Sequence, residues 1–150
     1  MDYLLYWKTF WSEHGGKRPF RAEWPTDRKW LWEKASRGDR YWVVIAAPKK
    51  STGQWRLLQK LEVARRDANV GKGERKFRIV GDRRKSRVFD FAGGRRDAAP
   101  VLKRLEFSSG HPITRTGTDI GRSIRTPRRL TPTDVKKMEK FAARLAPLRS

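Results

Sequence analysis

The sequence contains no cysteine and only two histidines among its 150 residues. Without cysteine the chain can form neither disulfide bonds nor thiolate metal sites. His14 and His111 are too few to build a histidine cage around a metal ion, and a lone histidine is usually a solvated or hydrogen-bonding residue. We therefore predict that the protein binds no metal and no other cofactor.

Acidic residues are scarce: 16 Asp and Glu stand against 37 Lys and Arg, which gives a formal net charge of +21. Such a charge destabilises a compact chain by self-repulsion unless a polyanion or salt screens it. Solubility alone needs a magnitude of only roughly 2 to 8 in a small domain. We therefore expect an anionic partner, and nucleic acid, an acidic membrane surface and an acidic protein all fit. The aromatic fraction of 11% indicates a folded body rather than a basic tail.

Long apolar runs are also missing, since no stretch approaches the roughly 18 residues of a membrane-spanning helix. The segment 1–8 carries Asp2 where a signal peptide needs positive charge. We expect an intracellular, cytoplasmic protein of prokaryotic origin with no membrane partner. The length is that of one ordinary domain, so we predict a single domain over residues 1–150.

Recognisable catalytic patterns are absent from the sequence. The carboxylates are scattered singly among basic residues, and neither Glu62 nor Asp90 begins the acid-x-Lys triplet of a restriction-type nuclease. The glycines at 71–73 and 93–94 lack the spacing of a phosphate-binding loop. We therefore predict that the protein is not an enzyme and holds no nucleotide cofactor.

Short runs rich in β-branched and aromatic residues predict five strands. They cover residues 3–7, 40–46, 54–65, 76–80 and 87–91. The alternation in the third predicts one apolar face, which carries Trp55, Leu57, Leu61 and Val63. The basic segment 81–86 predicts a hairpin turn between the last two strands.

Three segments have helical signals. The first, 27–37, begins after Thr26 and ends at Gly38, and the second lies within 96–106. The third begins at Thr131-Pro132-Thr133-Asp134, which is close to a capping box. Together with the strands, these helices predict a small α+β domain or a partly open β-barrel.

Lys and Arg cluster in the segments that we predict to be irregular. Phosphate contacts usually come from such loops and from helix starts. The candidate phosphate-binding residues are Lys17, Arg18, Arg21, Arg83, Arg84, Lys85, Arg95, Arg96, Arg115, Arg122, Arg125, Arg128 and Arg129.

Four of the seven tryptophans lie between Trp24 and Trp42. In a helix, Trp30 and Trp32 lie about 200° apart around the axis, so a single core cannot bury both. The strand that carries Trp42 is apolar on both faces, which places that residue in the core.

Aromatic walls in basic proteins are used to stack on an extruded base. Two tryptophans lie around the end of the first strand, and a third ends the following loop. These three and one of the helical pair could meet around one pocket, although each could also be an ordinary core residue. The candidate base pocket consists of Trp7, Trp11, Trp24, Trp30 and Trp32.

The order of these motifs resembles the PUA-like superfamily, nearest its EVE branch. The motifs are the strand 3–8, the tryptophan-rich segment after it, Gly38-Asp39 before an apolar strand, Leu61-Glu62-Val63, and 128–132 before a helix. The resemblance implies an α+β fold, a small pseudo-barrel of about five or six strands with flanking helices. Its EVE, YTH, ASCH and SRA-like relatives bind RNA or DNA, several by taking a modified base into an aromatic pocket.

The resemblance implies a non-catalytic module that reads a modified base, such as 5-methylcytosine, by flipping it into an aromatic pocket, with DNA favoured over RNA. Only Lys8 matches the Lys-Ser-Glu-Pro pattern of the EVE branch, because Thr9-Phe10-Trp11 follows it here. The identity of the base therefore stays open. The alternatives are an RNA-binding PUA-like protein, a small enzyme acting on nucleic acid, the targeting subunit of a nuclease or restriction system with a partner chain, and a protein-interaction module.

Overall fold

The computed structural model of the chain describes residues 1–14, 21–26, 28–47, 54–68, 77–90, 96–113 and 119–147. These residues form a small α+β domain, as the sequence predicts. The strands are β1 (Asp2–Tyr6), β2 (Glu23–Thr26), β3 (Arg40–Ala46), β4 (Trp55–Ala68), β5 (Phe77–Gly81), β6 (Arg87–Val88) and β7 (Arg128–Arg129). The helices are α1 (Phe10–His14), α2 (Lys29–Lys34), α3 (Ala99–Leu102), α4 (Asp119–Ser123) and α5 (Pro132–Ala142). No helix within these ranges is long and apolar enough to cross a bilayer.

The strands form one mixed sheet in the order β2-β5-β4-β3-β1-β7, and β6 also pairs with β4. β1 lies parallel to β3, and the other pairs are antiparallel. No pairing joins β2 to β7 within the described ranges, so the sheet is open. Sequence analysis did not predict these two outer strands, because β2 contains Pro25 and β7 has only two residues. Proline is tolerated at a sheet edge, where its missing N–H costs no ladder bond.

The long strand β4 is interrupted near its middle, where its ladder with β3 skips Leu58. An extra residue of this kind moves every later side chain to the opposite face of the sheet. Trp55 and Leu57 consequently pack on one side of the sheet. Leu61 and Val63 pack on the other side. The prediction that these four residues share one face was therefore wrong.

The predicted hairpin between β5 and β6 was also wrong, because both strands pair with the edge of β4 opposite β3. Segment 82–86 is thus a loop within one interrupted strand. Its shape is fixed by Asp82, whose carboxylate accepts the backbone N–H groups of Lys85 at 3.0 Å and Arg84 at 2.8 Å. These hydrogen bonds lower the pKa of Asp82, because they favour its ionised form.

Two hydrophobic cores lie on opposite sides of the sheet. The N-terminal core contains Phe10, Trp24, Leu31, Tyr41, Val43, Ile45 and Leu61. The C-terminal core contains Trp42, Val44, Leu102, Ile120 and Met138. The prediction that both faces of β3 are covered, with Trp42 in a core, is confirmed, since Trp42 is fully buried.

The capping box of α5 forms as the sequence predicts: the Thr131 hydroxyl accepts the N–H of Asp134, and the Asp134 carboxylate accepts the N–H of Thr131, both at 3.1 Å. The same carboxylate also accepts the N–H groups of Glu106 and Phe107, both at 2.8 Å. These bonds hold the segment after α3 against the start of α5. Phe107 has a φ of +57°, a left-handed conformation that side chains rarely adopt.

Helix α2 is shorter than the predicted 27–37, and residue 27 lies outside the described ranges. After Lys34 the backbone becomes extended, and the Asp39 carboxylate accepts the N–H of Ser36 at 3.1 Å. This bond, together with Gly38 at a φ of +93°, favours a turn over another helical residue. The predicted helix in 96–106 is confirmed as the short α3.

Candidate functional site

A cleft of about 240 Å³ opens between the end of β1, β2, the start of α2 and the segment after α4. We call it the tryptophan cleft, because Trp7 and Trp24 form its aromatic wall. Trp7 follows β1 directly, and its N–H donates to the Val44 carbonyl at 3.0 Å. Trp24 lies in β2 opposite Ile79. The sheet therefore fixes the backbone of both residues.

The two indole rings meet edge to face, with ring centroids 5.5 Å apart. Trp7 is 6% exposed and Trp24 is 7% exposed, so both contribute mainly to the N-terminal core. They supply the edges of rings to the cleft rather than an open face. The indole N–H of Trp24 is buried and has no hydrogen-bond acceptor among the described residues.

Tyr6 also lines the cleft, but its ring packs against the C-terminal core on the other side of the sheet from Trp7 and Trp24. Its half-buried ring packs edge-on against Trp55, with centroids 4.8 Å apart, and a Cβ added at Gly121 would come within 3.4 Å of it. Burial raises the pKa of Tyr6 above its ordinary value. The hydroxyl therefore stays protonated near neutral pH and can donate a hydrogen bond.

Three exposed cations, Lys8, Arg28 and Arg125, stand around the cleft. The guanidinium of Arg28 donates from both of its terminal nitrogens to the Arg125 carbonyl, each at 3.3 Å. Its backbone N–H donates to the Thr26 hydroxyl at 3.0 Å. Arg28 thus ties the start of α2 to the segment after α4 across the cleft.

Trp11 and Trp32 lie in the N-terminal core and do not line the tryptophan cleft. The Trp11 indole donates to the Ala46 carbonyl at 2.7 Å. The Trp32 indole donates to the Asp67 carbonyl at 3.1 Å, and the Arg66 guanidinium lies 4.9 Å from the centroid of its ring. Both polar groups are in use, which is typical of structural tryptophans.

Trp30 is 44% exposed. Helix α2 buries Leu31 and part of Trp32, which leaves Trp30 facing outward, as the angular argument predicts. Its nearest charged neighbour is the Lys34 ammonium, 5.9 Å from the ring centroid. Of the five predicted pocket residues, Trp30 is the one with an accessible ring face, but it lies outside the tryptophan cleft.

The predicted phosphate-binding residues near the C-terminal part of the chain fall into two kinds. Arg122, Arg125 and Arg129 are exposed. Arg128 is different: its guanidinium lies 3.8 Å from the Phe107 ring centroid and donates to the Ser109 hydroxyl at 3.1 Å and to a backbone carbonyl. Burial lowers its pKa, and its contacts mark it as a structural residue.

The other candidates lie elsewhere. Arg83, Arg84 and Lys85 are exposed on the loop between β5 and β6, Arg21 is exposed just before β2, and Arg96 is exposed before α3. Arg21 and Arg83 line a second, larger cleft. The remaining candidates lie outside the described residues: Lys17, Arg18, Arg95 and Arg115.

In the described part of the chain, no three His, Asp or Glu side chains lie close enough together to hold a metal ion. The buried carboxylate of Asp2 accepts from Arg40 at 2.9 Å and from the Trp42 indole at 2.9 Å. Asp134 is occupied by backbone N–H groups, as described above. Both buried carboxylates therefore have structural partners.

Sequence reasoning missed Lys8 and Arg28 as candidate site residues. Arg28 had one usable signal, its position in the first turn of the predicted helix 27–37, because helix starts often contact anions. Lys8 had its position after the first strand and its match to the first residue of the EVE pattern. The contact between Arg28 and Arg125 joins residues 97 positions apart, which no local pattern reveals.

Comparison of the chain with protein-family models, curated proteins and solved structures finds no match. The class of protein is therefore defined by its fold and surface: a small, strongly basic α+β domain with an open mixed sheet and two clefts.

Proposed function

We propose that this protein is a non-catalytic DNA-binding module that reads a modified base, such as 5-methylcytosine, by accepting the flipped base in the tryptophan cleft. The observation that carries the proposal is the combination of a cleft walled in part by Trp7 and Trp24 with the three exposed cations around it, Lys8, Arg28 and Arg125. The net charge of +21 supports a polyanionic ligand.

The size of the tryptophan cleft favours a single ring system. Its volume of about 240 Å³ is below the roughly 300–1,000 Å³ of pockets that hold drug-sized ligands. Flipping a base out of a duplex costs a few kcal/mol, so the cleft has to return at least that much through contacts and hydrogen bonds. The surrounding aromatic and aliphatic side chains supply contact area for this purpose.

The lining suits a methylated base. Leu31, Ile124 and Pro127 are apolar and can contact a methyl group. The Trp24 indole N–H is a buried donor without an acceptor in the described residues. Buried donors almost always find a partner, and a base carbonyl or a water in the cleft can serve as one after a small shift of the ring.

The three cations have a different role in binding from that of the residues that form the cleft wall. A flipped nucleotide brings its flanking phosphates to the mouth of the cleft, where Lys8, Arg28 and Arg125 can contact them. Phosphate contacts give affinity and salt dependence without sequence information. Selectivity for the modified base then comes from the cleft itself.

The proposal includes the fold: we propose that the open sheet is a PUA-like pseudo-barrel. β4 carries two register irregularities and pairs with β3 on one edge and with both β5 and β6 on the other. Bulges bend a strand and increase its twist, which is how sheets curl toward a barrel. The two irregularities of β4 are compatible with the pseudo-barrel that the proposal includes.

The proposal is tested by fluorescence anisotropy with a labelled duplex, with and without a central 5-methylcytosine, at two salt concentrations. We expect tighter binding of the modified duplex and a steep loss of affinity with salt for both. Equal affinity for the two duplexes would overturn the choice of base. Stronger competition by a matched RNA than by DNA would instead favour the RNA-binding alternative.

A cleft-blocking variant sharpens this test. Thr9 is exposed and lines the tryptophan cleft, so Thr9→Phe adds bulk to the cleft without disturbing a core. We expect it to lose the preference for the modified duplex while it keeps salt-dependent binding. The matched control is Thr133→Phe, an exposed position in the first turn of α5. If Thr9→Phe keeps the preference, the base does not enter this cleft.

A further inference from the structure

The second cleft is larger and chemically different from the first. It has a volume of about 960 Å³ and lies between the start of β2, the end of β5, the loop to β6 and the segment after α5. We call it the arginine cleft, because five arginines line it against the two carboxylates of Glu23 and Asp82. They are Arg21, Arg65, Arg78, Arg83 and Arg87.

Two of these arginines are held by ion pairs. Arg78 lies 3.5 Å from the Glu23 carboxylate and 3.3 Å from that of Asp67. Arg65 also contacts Asp67, at 3.3 Å. Their charges are largely compensated, and their contacts join β2, β4 and β5 at the cleft wall.

The other three arginines are uncompensated. Arg21, Arg83 and Arg87 are exposed, and none of them forms an ion pair with a carboxylate of the described residues. Like charges in a concave surface focus the positive potential toward the ligand that enters it. The arginine cleft therefore attracts anions.

The backbone near these arginines is fixed. A Cβ added at Gly81 would lie 2.6 Å from the Ser86 hydroxyl and 3.0 Å from the Ala22 carbonyl, so the loop packs directly against the chain before β2. The N–H of Gly81 donates to the same carbonyl at 2.9 Å. Asp82 holds the loop from within through the two backbone bonds described above. Arg21, Arg83 and Arg87 thus project from an ordered frame.

Size and lining indicate what the arginine cleft holds. Its floor includes the apolar side chains of Val80, Val88, Phe89 and Leu145. Its volume suits an extended chain rather than a single small anion. The planar guanidinium groups match phosphate oxygens in a two-pronged geometry that a lysine cannot offer.

We propose that the arginine cleft holds a stretch of phosphodiester backbone of the bound nucleic acid, at a place separate from the tryptophan cleft. The proposal rests on the proposed function only in taking nucleic acid as the ligand. Among the described residues none lines both clefts, yet Glu23 lines one and its neighbour Trp24 lines the other. Successive side chains of a strand point to opposite faces, so one nucleic acid that reaches both clefts crosses the edge strand β2.

The test compares two triple variants that remove equal charge. The cleft variant is Arg21→Gln, Arg83→Gln and Arg87→Gln, and the control is Arg104→Gln, Lys136→Gln and Arg144→Gln. The control residues are exposed and line neither cleft. The measurement is the slope of log affinity against log salt for an unmodified duplex.

Each phosphate contact contributes about 0.9 to the salt slope. We expect the cleft variant to lower the slope by about 2 to 3 and the control variant to leave it nearly unchanged. Equal effects of the two variants, or an unchanged slope in the cleft variant, would overturn the proposal and leave an acidic peptide as the better occupant. If the triple variant fails to fold, Arg83→Gln alone, on the exposed loop, is expected to lower the slope by about 1.

The outcome is independent of base reading because the duplex is unmodified. If the cleft variant lowers the salt slope as expected but the wild type shows no preference for 5-methylcytosine, the proposed reader function is wrong and this inference stands. If the cleft variant keeps the preference for 5-methylcytosine and its salt slope is unchanged, this inference is wrong and the proposed reader function stands.

Discussion

The two sides of the sheet treat buried polar groups differently. On the C-terminal side, the Trp42 indole donates to Asp2, and the Asp134 carboxylate accepts three backbone N–H groups. On the N-terminal side, the Trp24 indole N–H is buried without an acceptor in the described residues, beside an open cleft. In the described residues these two polar groups of the C-terminal side have partners, whereas the Trp24 indole N–H on the N-terminal side is still free to donate a hydrogen bond.

This difference separates stability from binding within one small domain. Proteins usually satisfy their buried polar groups, and they depart from that rule mainly where a ligand or a water completes the set. Both tryptophans of the tryptophan cleft belong to the N-terminal core. We therefore expect substitutions in the C-terminal core to act mainly on folding and substitutions on the N-terminal side to divide between folding and binding.

The largest expected effect is that of Asp134→Asn. An amide can present only one acceptor oxygen, and its NH₂ group would face backbone N–H groups that now bond to the carboxylate. We expect a loss of about 3 kcal/mol of unfolding free energy, measured by urea denaturation, because several charge-assisted bonds are weakened at once. Glu33→Gln, on the exposed face of α2, is the control and should cost under about 0.5 kcal/mol. A loss below about 1 kcal/mol would contradict the structural role of Asp134.

The Asp134 carboxylate also makes the stability of the protein depend on pH. Burial tends to raise the pKa of Asp134, but the N–H groups of Glu106, Thr131 and Phe107 together outweigh it and lower the pKa below its ordinary value. Its contribution to stability is therefore complete above the unfolded pKa of about 3.9 and is lost as the pH falls toward the lower folded value. The wild type should lose stability between pH 5 and 3 more steeply than Asp134→Asn. Parallel curves would refute this assignment.

The next largest expected effect is the difference in unfolding free energy between two substitutions that each remove a buried indole N–H group. Trp42→Phe leaves the buried Asp2 carboxylate without one of its donors, whereas Trp24→Phe removes a donor that has no partner in the described structure. We expect Trp42→Phe to cost about 1–2 kcal/mol more unfolding free energy than Trp24→Phe. The two substitutions remove the same atoms from two buried sites, so each is the control for the other. Equal costs would mean that Trp24 has an acceptor in solution.

The smallest expected effect on stability is that of Trp30→Ala. Its side chain is 44% exposed, and exposed substitutions usually change stability by less than about 0.5 kcal/mol. Trp32→Ala, two residues further on, should cost at least about 2 kcal/mol because it removes a half-buried ring and its bond to the Asp67 carbonyl. Thermal denaturation of both variants measures these two losses of stability. A similar loss in both would place Trp30 in a core.

Local signals were sufficient to predict two elements. The run 40–46 is apolar on both faces and forms β3 with those bounds, and Thr131 with Asp134 forms the predicted capping box. The bulge at Leu58 and the pairing of β6 with β4 depend on partners distant in sequence. The sequence therefore did not reveal them, and the faces assigned to β4 were wrong in consequence.

Some features of the candidate site could likewise be predicted from the sequence, and others depend on tertiary structure. Basic loops and tryptophans were visible in the sequence, and the structure brings the rings of Trp7 and Trp24 into contact. Trp11 and Trp32 are separated from them because their indole N–H groups bind backbone carbonyls elsewhere in the N-terminal core. The arginine cleft assembles four distant segments, including Arg65 and Arg87, and only tertiary structure brings them to one surface.

The position of β1 between β3 and β7 has a consequence for synthesis on the ribosome. β1 is synthesised before its neighbour β3, but in the described residues its outer edge is covered by residues 128–130, which are synthesised much later. Until those residues emerge, a nascent chain exposes an unpaired strand edge beside the apolar residues Leu4 and Leu5, a typical starting point for aggregation. A translational pause before residue 128 would therefore make chaperone dependence greatest at a stage when most of the sheet has already been synthesised.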